Sequence, residues 1–163
     1  MAIKIILCLS ILAFTSGAGY FMASKFRQRK VFFAQFLQFN ERFLSEISYS
    51  KRPLKEFITS YSYKGEFSEL LNNYLNGLGK EEIDLSKFIN EISYLEKDEP
   101  KTIFEYFQAL GKGNSDSQKS YFSNANGVLE EYRNKSSAEY KKYADLYVKL
   151  GVLIGLAIII III

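Results

Sequence analysis

The residue types that carry most enzyme chemistry are nearly absent from this sequence. The chain of 163 residues has no histidine and a single cysteine, Cys8. Without histidine it lacks the commonest general base, the imidazole metal ligand and any Ser-His or Cys-His nucleophile pair. One cysteine excludes an intramolecular disulfide and a thiolate metal site. Any catalysis would have to use carboxylates, lysine or tyrosine.

The remaining polar groups lack the spacing that catalysis or cofactor binding requires. The acid pairs at 81–82 and 130–131 are sequence neighbours, so on a helix they point about 100° apart and are expected to be solvated. The acidic run at 96–99 has no spaced oxygen ligands of the calcium-loop kind. The sequence LGKGNSDS at 110–117 lacks the Lys-Ser/Thr ending of a phosphate loop. We predict no enzyme activity, no cofactor and no metal site.

The charges leave two apolar ends around a polar middle. Residues 5–24 and 150–163 carry no charged side chain, whereas all 18 acids and 20 of the 21 bases lie within 25–149. The middle therefore has a net charge of +2, from bases that are interleaved with acids. This small excess argues against nucleic acid as a main partner.

Both apolar ends are predicted to be transmembrane helices. Twenty uncharged residues span ~30 Å as a helix, which matches the hydrocarbon core of a bilayer, and we assign residues 3–24 to this first helix. Small residues at 16–18 leave a cleaved signal peptide as the alternative. Residues 150–163 reach only ~21 Å, although Lys149 can snorkel to the interface. A buried core helix is the alternative here, but six consecutive isoleucines offer water no polar face.

Basic residues flank both apolar ends on the side of the polar middle. They are Lys25, Arg27, Arg29 and Lys30 after the first, and Lys141, Lys142 and Lys149 before the second. The excess of bases in cytoplasmic flanks predicts a multi-pass protein of the cell membrane with two spans. Residues 25–149 would form a cytoplasmic domain, and the lipid bilayer would be one partner.

Small residues recur at four-residue spacing in both predicted spans. Ala13 and Gly17 lie in the first, and Gly151 and Gly155 lie in the second. Such faces let helix backbones approach closely in lipid. We predict that they pack on each other or on a helix of a partner.

The polar middle has the period of helices. Phe32, Phe36, Phe39, Phe43 and Ile47 recur at spacings of four and three, which predicts an amphipathic helix that continues from the first span to about Tyr49. Five further helices are predicted. One begins at Pro53 and is ended by Gly65, and the next is ended by Gly77 and Gly79. The remaining three begin after an N-cap at Asp84, at Pro100, and at a cap formed by Asn114 or Ser115, and the last of them continues into the tail. We predict an all-α fold, an antiparallel helical bundle in the cytoplasm flanked by N- and C-terminal transmembrane helices.

Aromatic residues are abundant, with 12 tyrosines and 14 phenylalanines. The phenylalanine stripe is expected in the bundle core. Tyr132, Tyr140, Tyr143 and Tyr147 lie on or near one face of the last helix. These tyrosines could either belong to the core, with hydroxyls that reach water, or form an interface for a partner.

Two stretches and the tail carry sequence patterns of their own. The first stretch reads EI-x-Y-x-x-x-PL, with Glu46, Ile47, Tyr49, Pro53 and Leu54, and the second has a Leu-Gly turn, a polar loop and a glutamine, with Leu110, Gly111 and Gln118. The tail contains Leu150, Gly151 and Gly155. In these features the chain resembles the stage III sporulation protein AB family of endospore-forming bacteria. The chain departs from the family at Phe21, where an acid is usual, and at Asn114, where an aspartate is expected. Asparagine caps a helix as well as aspartate does.

The resemblance implies a subunit of the mother-cell half of the channel complex built across the engulfing membranes during sporulation. The family is similar in fold to the cytoplasmic domains of the inner-membrane platform F proteins of type II secretion. The resemblance thus implies a scaffold that contacts other membrane proteins of the complex and a secretion-type ATPase. Candidate partner-binding residues are Glu46, Tyr49, Pro53, Leu54, Leu110, Gly111, Asn114 and Gln118. The alternative is a two-span receptor or signalling subunit, for which the predicted topology leaves little outside the membrane to bind a ligand.

Overall fold

A computed structural model describes residues 2–50, 52–78 and 85–162. In these ranges the chain is helical and has no strand, which confirms the all-α prediction. The helices are α1 (Ala2–Ser45), a π-helical turn (Glu46–Ser50), α2 (Leu54–Thr59), α3 (Gly65–Gly77), α4 (Ser86–Glu91), α5 (Glu99–Ala109) and α6 (Ser115–Ile162).

The prediction that Gly65 ends a helix is wrong. Helix α2 already ends at Thr59, and Gly65 is instead the first residue of α3, with a φ of +61° that favours glycine. Pro100 lies in the first turn of α5, where its missing N–H costs little. The predicted cap at Asp84, Gly79 and the acid pair at 81–82 lie outside the described residues.

The chain forms two compact units. One comprises Met1–Lys30 and Lys135–Ile163, and the other comprises Val31–Asn134. We call the first the helix-pair unit, since it contains the apolar parts of α1 and α6. We call the second the bundle unit, since it contains the remaining helices with the adjoining parts of α1 and α6.

The core of the bundle unit is built around the phenylalanine stripe of α1. Phe32, Phe36, Phe39 and Phe43 are all buried, which confirms the predicted core face. The ring of Phe36 meets that of Tyr106 edge to face, with centroids 4.7 Å apart. Such edge-to-face pairs stabilise a core beyond the area that they bury. The full set of buried core residues also includes Phe57, Phe67, Leu70, Ile89, Ile103, Phe107, Phe122 and Leu129.

One polar side chain, Asn40, lies inside this apolar core and is fully buried. Its Nδ2 donates to the carbonyl of Phe122 at 3.1 Å and to Oδ1 of Asn126 at 3.0 Å. Its Oδ1 accepts from the hydroxyl of Tyr106 at 3.0 Å. Burial raises the pKa of Tyr106 well above its ordinary value, so this hydroxyl keeps the proton that it donates. The amide thereby joins α1, α5 and α6.

In the helix-pair unit, α1 and α6 pack against each other in an antiparallel arrangement. Along α1, Thr15, Gly19 and Phe26 meet successively earlier positions of α6. A Cβ placed on Gly19 would lie 3.2 Å from Cα of Gly151 and 2.5 Å from the carbonyl oxygen of Tyr147. The two backbones therefore touch at these glycines, as small residues permit.

The predicted small-residue faces take part unequally in this contact. Gly151 and Gly155 are buried and meet Gly19 and Thr15 of α1. Ala13 and Gly17 are exposed, and a Cβ on Gly17 would meet nothing within 4 Å. The structure does not bring Gly17 to Gly151. Four-residue spacing also relates Thr15 to Gly19, and that face is the one turned toward α6.

Both apolar helices are long enough to cross a membrane, as predicted from the sequence. In the most apolar 18-residue stretch of each, only 6% and 11% of the residues are buried. Core helices of soluble proteins are mostly buried, so these segments differ from a core helix. The two helices are consistent with membrane association.

Replacing Asn40 is expected to destabilise the bundle strongly. Asn40→Ala leaves the hydroxyl of Tyr106 and the carbonyl of Phe122 without this buried partner, and it opens a cavity. We expect the free energy of unfolding to fall by about 2–4 kcal/mol. Denaturant unfolding of the full chain in neutral detergent, followed by circular dichroism, measures the loss. Asn73→Ala, at an exposed position of α3, is the control, and equal stabilities of the two variants would contradict this role.

The glycine contact gives a matched pair of variants. Gly19→Val forces a branched side chain against the backbone of α6 and should lower stability by about 1–3 kcal/mol. Gly17→Val, two residues away in the same helix, should leave stability unchanged, because the position is open. Thermal unfolding of both variants in detergent compares them, and a loss at Gly17 as large as that at Gly19 would refute the observed helix pairing.

Candidate partner-binding junction

The two groups of predicted partner-binding residues, far apart in sequence, meet at one end of the bundle unit. The first group follows α1, and the second connects α5 to α6. Together they border a cleft of about 280 Å³. We call this region the junction. Its cleft is lined by Phe43, Glu46, Ile47, Arg52, Leu54, Gly111, Gly113, Ser115 and Gln118.

Glu46 begins the π-helical turn, and its carboxylate is buried. Arg52 donates to one oxygen through its backbone N–H at 3.1 Å and its Nε at 3.0 Å. Its Nη2 donates to the other oxygen at 2.6 Å. This two-pronged pairing fixes the segment between α1 and α2, and hydrogen bonding to Glu46 raises the pKa of Arg52 above its ordinary value.

The turn between α5 and α6 is tight and glycine-dependent. Leu110 is the C-cap that follows α5, and its carbonyl accepts from the hydroxyl of Tyr74 at 2.9 Å. Gly111 and Gly113 follow with φ of +77° and +90°, values that side-chain-bearing residues rarely adopt. Asn114 then caps α6, as predicted, with its Oδ1 accepting from the N–H of Ser117 at 2.8 Å.

Direct contact between Gly111 and Leu54 joins the two halves of the junction. A Cβ on Gly111 would lie 2.9 Å from Cδ2 of Leu54, closer than real Cβ atoms come. Gln118 also lines the cleft, and it donates through Nε2 to the carbonyl of Gly113 at 3.3 Å. The second half of the junction is thus held in shape by glycines and amide hydrogen bonds.

Tyr49 and Pro53 are the exposed part of the first half. Tyr49 lies in the π-helical turn with 85% of its surface exposed, which is unusual for an aromatic residue. Pro53 is also exposed, directly before α2.

A second cleft of about 390 Å³ adjoins the α5–α6 turn and is lined by Ala109, Lys112, Gly113, Ser117, Gln118, Tyr121 and Phe122. The junction thus combines an exposed aromatic side chain in its first half with a cleft beside its second half.

Sequence reasoning missed Arg52 and Tyr121. Arg52 lies six residues after Glu46, beyond any helical spacing, so only the fold shows that the two pair. Tyr121, 41% exposed, follows the predicted turn by a few residues, and an aromatic residue there was a usable signal. Of the late-helix tyrosines, Tyr132 packs on Phe33 at 5.2 Å, and Tyr143 and Tyr147 pack on Phe26.

No group of acids, histidines or cysteines among the described residues could hold a metal ion. Glu99, in the acidic run at 96–99, is instead buried, and its carboxylate accepts from the N–H of Glu96 at 2.7 Å. The start of α5 therefore uses this acid as a structural hydrogen-bond acceptor.

Two glycines of the turn allow a controlled test of the junction. An alanine at Gly111 would be strained by the positive φ and would also clash with Leu54. An alanine at Gly113 would be strained by the positive φ alone, because the nearest atom to its Cβ is 4.0 Å away. We expect about 1–2 kcal/mol of destabilisation for Gly113→Ala and roughly 1 kcal/mol more for Gly111→Ala. Denaturant unfolding of the full chain in detergent measures the difference. Identical losses would show that Leu54 does not restrain Gly111.

Comparison with known protein families agrees with the resemblance seen in the sequence at 46–54 and 110–118. A family model for stage III sporulation protein AB matches residues 4–163. No curated protein sequence and no solved structure matches the chain. The family match covers both apolar helices, the bundle unit and both halves of the junction, so the chain belongs to the stage III sporulation protein AB family.

Proposed function

We propose that this protein is a membrane-anchored scaffold subunit of the mother-cell sporulation channel complex. It would be held in the membrane by α1 and α6 and would have no catalytic activity of its own. Family membership supports a role in sporulation. The scaffold role is supported by the junction, where an exposed tyrosine lies beside two turns that are held by hydrogen bonds and close packing.

The proposed topology rests on the two apolar helices and their flanks. Both helices are long and apolar enough to cross a bilayer, and both have bases next to them on the side of the bundle unit in the sequence. Bases of this kind stay in the cytoplasm. The bundle unit would then lie in the mother-cell cytoplasm, where a cytoplasmic ATPase of the secretion type can reach it.

The junction is the surface that we assign to partner binding, and Tyr49 is the observation that carries the assignment. A tyrosine at 85% exposure contributes nothing to the core, yet it can supply a large and rigid contact to a partner. It lies in a π-helical turn, a rare conformation that often occurs at functional sites. The ion pair between the buried carboxylate of Glu46 and the exposed Arg52 holds that turn in place.

Deletion and complementation in the source organism test this proposal. Deletion should collapse the count of heat-resistant spores and leave vegetative growth normal. Expression of the wild-type chain should restore the count. Normal sporulation without the protein would contradict the proposal and would favour a receptor or signalling role instead.

Tyr49→Ala separates partner binding from folding. Because the side chain is exposed, helicity and membrane recovery should match the wild type, whereas a lost anchor residue of an interface weakens binding by about 2 kcal/mol or more, roughly 30-fold. We expect reduced spore counts and reduced copurification of complex subunits with the tagged protein. Asn73→Ala is the control on another exposed surface, and equal behaviour of the two variants would remove Tyr49 from the binding site.

A further inference from the structure

Positive charge in this chain is concentrated next to the apolar helices. Residues 25–30 and 135–149 contain eight bases and two acids, a net charge of +6, whereas the whole chain has a net charge of +3. The rest of the chain, with thirteen bases and sixteen acids, is therefore negative by three. We call the two stretches the basic collar. Both belong to the helix-pair unit.

Both acids of the collar are bonded to bases within it. Glu139 forms an ion pair with Arg29, whose side chain is buried between the helices. Asp145 forms an ion pair with Lys149 at 2.5 Å. The excess of positive charge consequently rests on the other bases, of which Arg27, Lys141 and Lys142 are exposed.

Aromatic rings set the positions of several collar residues. The ring of Phe26 packs against those of Tyr143 and Tyr147, with centroids 5.5 and 5.6 Å away. The ammonium of Lys30 lies over the ring of Tyr140 at 4.6 Å, and that of Lys142 lies over Tyr143 at 4.9 Å. Aromatic residues with a polar tip, next to snorkelling lysines, suit the headgroup level of a bilayer.

We propose that the basic collar binds the headgroups of anionic phospholipids. Lys25 directly follows the uncharged run of α1, and Lys149 directly precedes that of α6, so the collar lies where the apolar segment meets the charged segment on both helices of the pair. Clusters of bases at this level attract anionic lipid, and each base adds to the attraction. This inference goes beyond the scaffold role, since it concerns the lipid around the anchors rather than the protein partner.

The test measures lipid selectivity of the full chain. The tagged protein is purified in a neutral detergent, mixed with equal amounts of phosphatidylglycerol and phosphatidylcholine, and analysed by native mass spectrometry for the lipid that stays bound. We expect phosphatidylglycerol to be retained preferentially. The preference should weaken when salt is raised from about 0.1 M to about 1 M. Inorganic phosphate added at the lipid concentration should not displace it.

Matched variants assign the selectivity to the collar. Lys141→Gln with Lys142→Gln should lower the preference by roughly fivefold for each neutralised base. Lys87→Gln with Lys101→Gln removes the same charge from exposed positions of the bundle unit and should leave the preference unchanged. Equal retention of both lipids by the wild-type chain, equal losses in the two double variants, or displacement by phosphate would each overturn the proposal.

Discussion

A primary amide buried among aromatic rings is tolerated only where the fold supplies its hydrogen-bond partners, and Asn40 has three. Its donors reach α6 and its acceptor receives the hydroxyl of Tyr106 from α5. Sliding any one of these helices by a turn would leave a buried polar group unpaired. Hydrophobic packing alone would tolerate several registers of phenylalanine against phenylalanine. The amide selects one of them, and among the described residues no buried side-chain polar atom lacks a partner.

The geometry of the junction depends on that register. Helix α1 ends at the π-helical turn that carries Glu46 and Tyr49, while α5 and α6 are joined by the turn at 110–114. Fixing α1 against α5 and α6 therefore fixes the two turns against each other. The contact between Gly111 and Leu54 and the pairing of Glu46 with Arg52 then complete the surface. A surface held by these contacts is ordered before any partner arrives, which would lower the entropic cost of the binding that we propose.

Periodicity predicted the helical class, the core stripe of α1 and the two apolar helices, because each depends on a regular pattern along one element. It could not predict that Asn40 is buried, since a polar residue between Phe39 and Phe43 fits a solvated face equally well. The pairing of Glu46 could not be predicted because Arg52 lies after the end of the helical segment, where helical spacing no longer relates two residues. The helix-pair contact shows the same limit, since spacing identifies small residues four apart but not which face turns inward. Gly19 was overlooked for that reason, while Gly17 was selected.

The most direct measurement of the central claim, that the junction is a docking surface, is site-specific photocrosslinking in sporulating cells. A photoreactive amino acid replaces Tyr49 in the full-length protein, and membranes are irradiated and analysed for adducts by mass spectrometry. This docking role predicts a discrete crosslink to a protein of the sporulation complex at position 49 and none at the exposed control position 73. Crosslinks that are absent at 49, or that are the same at both positions, would contradict it.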